Sequence, residues 1–517
     1  MQGSGGNNEF YKTMNILWVL LTIAVALVPI AAQGQQPLDC DSVGGDGSHV
    51  CSCIWSTRVS CKDADLTDVP AGIPPNILIL ELTGNKITSL PEMIFDGLPQ
   101  LSTLDLSDNE ISSIEVGAFD GLGSLQKLYL NNNQLVSLEE GIFRNLTSLK
   151  HLYLKDNKIS TLRSGVFRGL SSLYRISFDG NSISSFPIDI FSDVPSLGRV
   201  DLPNNRIKRL DDILPSLPSE LIRLDLSSNS LGNLDAAAFS GFPRLATLSL
   251  KSTNMSVLPE DVFLGLDGLF YIDLDDNNLV ELKNKSFGSH PSLATISVIN
   301  NNIATIEAGL FSRFPTLQNI KLQWNNLATL PPGVFDNLSR LRELRLNNNK
   351  IESLDDPDIF KDLQSVWFIY LHDNNIKSLP SGIFSEAKLE SLKILGLQNN
   401  AITVIENGTF DNLPRIEYIY LEYNPLQTVG CGMVPSQDMS PWLDRLIVEC
   451  TCHLKPLYDC PNFAWLGAKT LCLWHHTLNE ISPDRLVCAS SAGAVANRTD
   501  WIALAILLFL SNLFIST

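Results

Sequence analysis

A repeat of 24 residues runs through the middle of this chain and limits what it can fold into. Leu104 and Asn109 in one repeat return as Leu128 and Asn133 in the next. The asparagine position recurs in steps of 24 residues, with steps of 25 and 26 near the end, and Thr253 holds one of its places. The series is Asn85, Asn109, Asn133, Asn157, Asn181, Asn205, Asn229, Asn277, Asn301, Asn325, Asn349, Asn374, Asn400 and Asn424. About fifteen such repeats predict a solenoid, because no repeat can bury its own apolar face without a neighbour.

Each position of the repeat predicts a structural role. Leu104 and Leu106 alternate with polar residues, which indicates a short strand with one buried face. The asparagine can point inward and bond the backbone groups that the turn leaves unpaired. Phe119 and Phe143 recur on the opposite side and should stack into a spine, which residues 210–215 interrupt because they lack the phenylalanine. We therefore predict an α/β fold, a curved solenoid with a parallel sheet on its concave face.

Composition and motifs limit the class of function. Hydrophobic residues make up 44% of the chain and charged residues 18%, so the chain should be ordered. The formal net charge of -19 argues against a nucleic-acid partner, whose binding surface would be basic. The sequence lacks the Gly-x-Ser-x-Gly, Walker and His-Glu-x-x-His motifs, so we predict neither an enzyme nor a cofactor.

The N-terminal segment has the pattern of a secretory signal. Residues 15–32 are almost wholly apolar, Lys12 lies upstream, and small residues follow at Ala31, Ala32 and Gly34. We predict a signal peptide over residues 1–34, with a retained signal anchor as the alternative.

The C-terminal segment has the pattern of a lipid-anchor signal. Ser490 and Ser491 precede a short spacer and an apolar tail over residues 501–515. Residues 490–517 are therefore predicted to be a glycosylphosphatidylinositol (GPI) signal that attaches at Ser490 or Ser491. The alternatives are a short membrane span or a secreted protein. We expect nothing inside the cell for signalling.

The repeats and the cysteine clusters beside them resemble those of extracellular leucine-rich-repeat proteins with cysteine-rich caps. This family includes Slit, the Nogo receptor, chaoptin, Toll ectodomains and the variable lymphocyte receptors of jawless fish. The resemblance implies an N-terminal cap at 37–70, about fifteen repeats at 71–430 and a C-terminal cap at 431–489. It implies the fold far more specifically than the function, because these relatives bind unrelated ligands.

Ten cysteines form two even sets, as expected for disulfides in a secreted chain. The resemblance implies pairs Cys40–Cys53 and Cys51–Cys61 at the N-terminus. At the C-terminus it implies Cys450–Cys472 and Cys452–Cys488, with Cys431–Cys460 as an added pair. A zinc set of Cys450, Cys452, Cys472 and His475 is the alternative, but an oxidising compartment favours disulfides, and we predict no metal.

Five glycosylation sequons fall within the repeats, and none lies on a predicted strand. Glycans on these sequons would cover the other faces of the solenoid and leave the concave sheet bare. The five asparagines are Asn145, Asn254, Asn284, Asn337 and Asn407. A sixth, Asn497, lies in the segment that anchor attachment would remove.

One exposed strand position is basic or potentially basic in five consecutive repeats. Its residues are Lys127, His151, Arg175, Arg199 and Arg223, with Tyr129 and Tyr153 nearby and Asp179, Asp201 and Asp225 beside the arginines. One interpretation is a self-neutralised surface that adds little stability. The other is a site for an acidic protein or a sulfated glycan.

Aromatic residues concentrate near the C-terminal end of the array. Trp324, Phe368 and Tyr370 are predicted to be exposed on strands and to bind a ligand. Tyr418, Tyr420 and Tyr423 share the pattern, with packing under the C-terminal cap as the alternative.

Together these features predict a GPI-anchored receptor or co-receptor on the outer face of the plasma membrane. It would bind an extracellular protein ligand on the concave face and need a partner for signalling. The alternatives are a homophilic adhesion or matrix protein that associates with itself, and innate-immune pattern recognition.

Overall fold

The computed structural model describes residues 51–54, 57–384, 389–406, 408–426, 445–448 and 470–472, the last two ranges as backbone. The chain divides into two compact units, each described by itself. The N-terminal unit comprises residues 1–205 and 215–218, and the C-terminal unit comprises residues 206–214 and 219–517.

The N-terminal unit contains ten short strands within the described residues. They are β1 (Ser52–Ile54), β2 (Arg58–Ser60), β3 (Ile79–Glu81), β4 (Ser89–Leu90), β5 (Thr103–Asp105), β6 (Ser113–Ile114), β7 (Lys127–Tyr129), β8 (His151–Tyr153), β9 (Arg175–Ser177) and β10 (Arg199–Asp201).

The C-terminal unit continues the pattern. Its strands are β11 (Arg223–Asp225), β12 (Thr247–Ser249), β13 (Tyr271–Asp273), β14 (Glu281–Leu282), β15 (Thr295–Ser297), β16 (Thr305–Ile306), β17 (Asn319–Lys321), β18 (Glu343–Arg345), β19 (Phe368–Tyr370), β20 (Ser378–Leu379), β21 (Ile394–Gly396), β22 (Val404–Ile405), β23 (Tyr418–Tyr420), β24 (Arg445–Val448) and β25 (Thr470–Cys472). Four short 3-10 helices lie within the described ranges: Leu210–Asp212, Leu214–Ser216, Asn284–Ser286 and Phe311–Arg313.

Within each unit, strands of successive repeats pair in parallel without a register shift. Thr103 lies opposite Lys127, and Lys127 opposite His151, so equivalent repeat positions form straight columns. Three smaller parallel pairs, β4–β6, β14–β16 and β20–β22, form separate two-stranded sheets. The predicted solenoid with a parallel sheet is confirmed.

The asparagine position bonds the turn as predicted. Asn109 Nδ2 donates to the carbonyls of Leu82 (2.9 Å), Leu106 (3.2 Å) and Ser107 (3.1 Å), and its Oδ1 accepts from Ile87 N. Equivalent bonds recur along the array because every turn leaves the same backbone groups unpaired. Thr253 satisfies part of this role, since its Oγ1 donates to Leu250 O at 2.7 Å.

Buried phenylalanines stack behind the strands. Ring centroids lie 6.0 Å apart for Phe119–Phe143 and 6.3 Å apart for Phe143–Phe167. At the predicted interruption Ile213 is fully buried, between the two 3-10 helices of that repeat. The spine is therefore replaced there by aliphatic packing. The predicted curvature of the solenoid stays a prediction.

The first repeat is preceded by an antiparallel pair, β1 with β2. The Cys51–Cys61 disulfide closes this pair, as the resemblance implied, and Cys53 is also disulfide-bonded. Its implied partner Cys40 lies outside the described residues. β2 then pairs in parallel with β3, so the pair covers the start of the sheet.

At the other end, β24 and β25 extend the sheet beyond β23 in parallel register. The implied C-terminal pairings fall outside the described residues, except that Cys472 ends β25. The attachment residues Ser490 and Ser491 also lie outside them. No helix in the described ranges has the length and apolarity that crossing a bilayer requires.

Candidate ligand-binding face

The predicted basic column is present on the N-terminal unit. Strand register places Lys127 opposite His151, His151 opposite Arg175, and Arg175 opposite Arg199. Neighbouring strands in a sheet lie about 4.8 Å apart, so these side chains share one exposed row. The fifth predicted member, Arg223, begins β11 in the C-terminal unit.

The two arginines of this row share a single carboxylate. Arg175 Nη2 lies 2.8 Å from Asp201 Oδ2, and Arg199 Nε lies 3.0 Å from Asp201 Oδ1. Asp201 is only 4% exposed, so these ion pairs fix both guanidinium groups. One carboxylate neutralises only one of the two arginine charges. The row is therefore neither fully self-neutralised nor free of internal ion pairs.

The lysines of this face differ in their partners. Lys155 Nζ forms an ion pair with Asp179 Oδ2 at 3.1 Å, which neutralises its charge. Lys127 is exposed and makes no ion pair within the described part of the chain. Lys127 therefore contributes an unpaired positive charge at the edge of the row.

A pair of tyrosines lies beside the row. The rings of Tyr129 and Tyr153 stack at 4.7 Å with an interplanar angle of 3°. The Arg175 guanidinium lies over the Tyr153 ring, 5.1 Å from its centroid. Stacked rings next to guanidinium groups offer both apolar contact and charge, a combination enriched where proteins bind proteins. Lys127, Tyr129, His151, Tyr153, Arg175 and Arg199 thus come together on one face, which we call the basic face.

A second group of rings lies on the C-terminal unit. Phe368 and Tyr370, both on β19, stack at 6.3 Å. Arg345 lies over Tyr370 at 5.4 Å and pairs with Glu343 through its Nε at 2.6 Å. Trp367 adds a ring that meets Phe368 edge-on. Phe368 and Tyr370 therefore form a half-buried aromatic surface with a cation above it. Ligand binding by this surface stays a prediction.

Trp324 does not take the strand position that we predicted for it, and that placement is wrong. β17 ends at Lys321, and Trp324 occupies the turn residue before Asn325, with φ of 61°. Its side chain is 58% exposed. Most other repeats place Gly, Asn, Asp or Ser at this left-handed position, because a bulky side chain is unfavourable there. Tyr423 occupies the equivalent turn position, whereas Tyr418 and Tyr420 lie on β23 as predicted.

This conformation makes a prediction about stability. We expect Trp324→Asn to raise the free energy of unfolding by about 1 kcal/mol, because asparagine tolerates a left-handed backbone and the exposed indole is not part of the core. Urea unfolding measures this. Asn348→Ser, at the same turn position one repeat later, should change stability by less than about 0.5 kcal/mol. A clear loss of stability in Trp324→Asn would instead show that the indole packs against the protein.

The C-terminal unit carries an acidic cluster that the sequence patterns did not predict. Asp273 ends β13, and Asp275 Oδ1 accepts hydrogen bonds from Ser297 Oγ (2.7 Å) and Ile299 N (2.8 Å). Burial, and after it the charge of the Asp275 carboxylate, raise the pKa of Asp273 to about 6. Comparing equivalent positions of successive repeats would have revealed the cluster, since Asp225 and Asp273 share one column.

The raised pKa of Asp273 makes stability depend on pH. Its carboxyl favours the protonated form in the folded state, so its stabilising contribution is complete below the unfolded pKa of about 4 and is lost as pH rises through about 6. We therefore expect Asp273→Asn to stabilise the protein by about 1 kcal/mol near neutral pH and to have little effect near pH 4. Thermal unfolding at both pH values measures this, with exposed Asp358→Asn as the control. Equal effects of Asp273→Asn at both pH values would contradict the assignment.

The glycosylation sequons lie off the strands of the large sheets. Asn145, Asn254 and Asn337 are exposed, whereas Asn284 is half-buried and its Nδ2 donates to Ala308 O at 3.1 Å. Asn407 lies outside the described residues. Glycosylation at each of these residues stays a prediction.

This geometry defines a class of protein: a parallel-sheet repeat solenoid that presents aligned columns of side chains. The leucine-rich-repeat family model matches residues 75–135, 123–183, 219–279, 271–327, 315–376 and 369–426. These segments cover more than half of the sequence, so the chain belongs to the leucine-rich-repeat family.

Known relatives match short parts of the chain. The acid labile subunit of the insulin-like growth factor-binding protein complex of Mus musculus is 35% identical over 91 residues, 16% of this chain and 15% of that protein. Asporin of Bos taurus is 48% identical over 46 residues, 9% of this chain and 12% of that protein. These alignments thus span less than a fifth of either relative.

Solved structures show the same fold over a longer range. A leucine-rich-repeat protein of Leptospira interrogans superposes with a TM-score of 0.60 and 24% identity, covering 74% of this chain and 91% of the other. Toll in the Toll–Spatzle complex of Drosophila gives 0.60 at 21% identity, covering 80% and 55%. At these identities the likeness shows the fold alone.

Proposed function

We propose that the protein is a recognition receptor or co-receptor at the outer face of the plasma membrane. It binds an extracellular protein through the exposed columns of its sheet and is held by a GPI anchor. It is not an enzyme, and its part in signalling requires a partner that crosses the membrane.

The observation that carries this proposal is the composition of the basic face. Most strand positions that point inward carry the same apolar residues in every repeat, whereas the outward positions of β7–β10 combine an unpaired lysine, two arginines on one carboxylate and a stacked tyrosine pair. The core explains the first set and does not explain the second. Arginine and tyrosine clusters are typical of protein-binding hot spots.

The family relationship supports an extracellular role. A curated relative takes its name from a growth-factor-binding protein complex, and the solved Toll structure is a complex with Spatzle. In this chain the cysteine caps and the N-terminal signal pattern fit the same compartment.

Charge substitution on the basic face tests the proposal. Lys127→Glu should weaken binding of an extracellular protein ligand by tenfold or more, because the substitution reverses an unpaired charge in the contact. Lys158 is an exposed lysine of the same unit that lies off the strands, so Lys158→Glu is the matched control. Equal affinities of the two variants would argue against the basic face as the site.

The anchor has its own test. Phosphatidylinositol-specific phospholipase C should release the protein from cells that express the full chain, and replacing both Ser490 and Ser491 by bulky residues should prevent surface attachment. Retention after phospholipase treatment would favour a membrane span.

Homophilic adhesion is the second candidate, because the basic face lies on a chain whose formal net charge is -19. An acidic surface of one copy would be complementary to the basic face of another. Sedimentation of the secreted protein over a range of concentrations measures self-association, and a Lys127→Glu variant that still self-associates would exclude this contact.

A further inference from the structure

His151 is the centre of the basic face. Lys127 on β7 and Arg175 on β9 lie directly opposite it on either side, and Lys150 precedes it in the chain. Two rings enclose the imidazole, Tyr153 at 6.3 Å and Tyr174 edge-on at 6.5 Å. A half-buried histidine therefore lies between two cations and contacts two tyrosine rings.

The imidazole has no partner that holds its proton. His151 Nδ1 is buried and makes no hydrogen bond within the described part of the chain. The other two described histidines differ: His290 Nδ1 contacts Leu266 O at 3.1 Å, and His372 Nδ1 contacts Asp373 Oδ2 at 2.6 Å. Because Nδ1 is buried, a polar partner from outside the chain meets the imidazole at Nε2, which makes no hydrogen bond to the described residues.

The surroundings of His151 disfavour the charged form of its imidazole in the unliganded protein. Burial lowers the pKa of its imidazole, and the charges of Lys127, Arg175 and Lys150 lower it further. The Asp201 carboxylate on β10 is engaged by Arg175 and Arg199. Tyr129 and Tyr153 add uncharged rings on the same side.

We propose that the row Lys127–His151–Arg175 takes an acidic segment of a protein partner and that His151 takes up a proton when this segment binds. The inference rests on the proposed function and names the chemistry of the ligand. A carboxylate beside the imidazole favours its charged form, and the imidazolium then adds a third cation to the row.

The mixed charge of the face favours a peptide over a sulfated polysaccharide. Asp105, Asp179 and Asp201 lie on or beside the same strands as the cations. A polymer with a negative charge on nearly every sugar would be repelled by these carboxylates. The acidic side chains of a peptide are spaced apart and can contact the cations without lying beside the carboxylates. The stacked Tyr129–Tyr153 pair offers contact for the apolar side chains between them.

Proton uptake fixes the sign of the pH dependence. The pKa of His151 is lowered in the free protein and should be higher in the complex. Affinity should therefore increase as the pH falls through the pKa that His151 has in the complex. Acidic side chains of the ligand remain ionised down to about pH 5. Binding should therefore tighten several-fold as the pH is lowered from about 8 to about 6.

The test uses the secreted, glycosylated protein and a labelled peptide in which glutamates alternate with tyrosine and glycine. Calorimetric titration in two buffers of different ionisation enthalpy gives the number of protons taken up, and we expect a net uptake of at most one proton per peptide near pH 6.5. Affinity at about pH 8 and pH 6 gives the second readout. Heparin oligosaccharide is the competing probe.

Variants separate the outcomes. His151→Gln should abolish both the proton uptake and the pH dependence, while His372→Gln on the C-terminal unit should keep both. Peptide binding that is independent of pH, or equally pH-dependent in His151→Gln, would overturn the inference and leave the proposed function standing. Heparin that binds this face more tightly than the peptide would overturn the choice of an acidic peptide. If an extracellular protein binds the sheet and the peptide does not bind at any pH, the acidic-segment assignment is wrong.

Discussion

Phe143→Ala is expected to lower the free energy of unfolding by about 3–5 kcal/mol, because the ring is fully buried and the cavity cannot collapse between two fixed neighbours. Phe119 and Phe167 stack on its two faces at 6.0 and 6.3 Å, so both lose a partner. The strands on either side are held by backbone pairing, which prevents the rings from closing the gap. Urea unfolding followed by circular dichroism measures the loss.

Phe270 provides the matched control for this prediction. It is the same residue type in the C-terminal unit, but its side chain is 52% exposed. Phe270→Ala should cost less than about 1 kcal/mol because it creates no cavity. Equal losses for the two variants would show that the stacked rings are not a principal source of stability.

Asp201→Asn is expected to have opposite effects on stability and on binding. The nearly buried carboxylate holds both Arg175 and Arg199, so removing its charge leaves two guanidinium groups without their partner. We expect a loss of about 2 kcal/mol in the free energy of unfolding, less than for a fully buried pair because both arginine side chains are about a quarter exposed. The released charges should raise the affinity for an acidic ligand several-fold.

Asp211→Asn is the control for that prediction. The Arg209–Asp211 pair has the same chemistry but is largely exposed, so its loss should change stability by less than about 0.5 kcal/mol. An Asp201→Asn variant that binds an acidic ligand more weakly than the wild type would contradict this prediction. Weaker binding would show that Asp201 supports the ligand by orienting the arginines and does not compete with it for their charge.

The sequence predicts the repeated part of the structure in detail because one rule acts in every repeat. The amide of Asn109 makes the backbone bonds that its place after the strand implies, and Phe143 stacks as its spacing implies. Register within the sheet follows directly, since each strand must align its leucines with those of the next. The column from Lys127 to Arg199 could therefore be predicted residue by residue.

Features that depend on side-chain conformation or on the last residue of a strand could not be predicted in the same way. Trp324 lies three residues beyond Lys321, and this small offset moves it from the sheet to a left-handed turn. The sequence places Asp201 near the arginines, but only the rotamers determine that Arg175 and Arg199 share it. The raised pKa of Asp273 depends on burial among neighbours that no local pattern reveals.

A glycan placed on the sheet tests directly whether a ligand binds there. The double substitution Lys127→Asn with Tyr129→Thr creates an Asn-Leu-Thr sequon on β7, and Lys158→Asn creates an Asn-Ile-Ser sequon off the strands of the same unit. Secreted forms of residues 35–489 carrying each change are screened for binding to extracellular proteins, including the protein itself. We predict a saturable ligand whose binding is abolished by the sheet glycan and unchanged by the Lys158 glycan. A ligand that binds both glycosylated variants as tightly as the wild type would contradict recognition through this face.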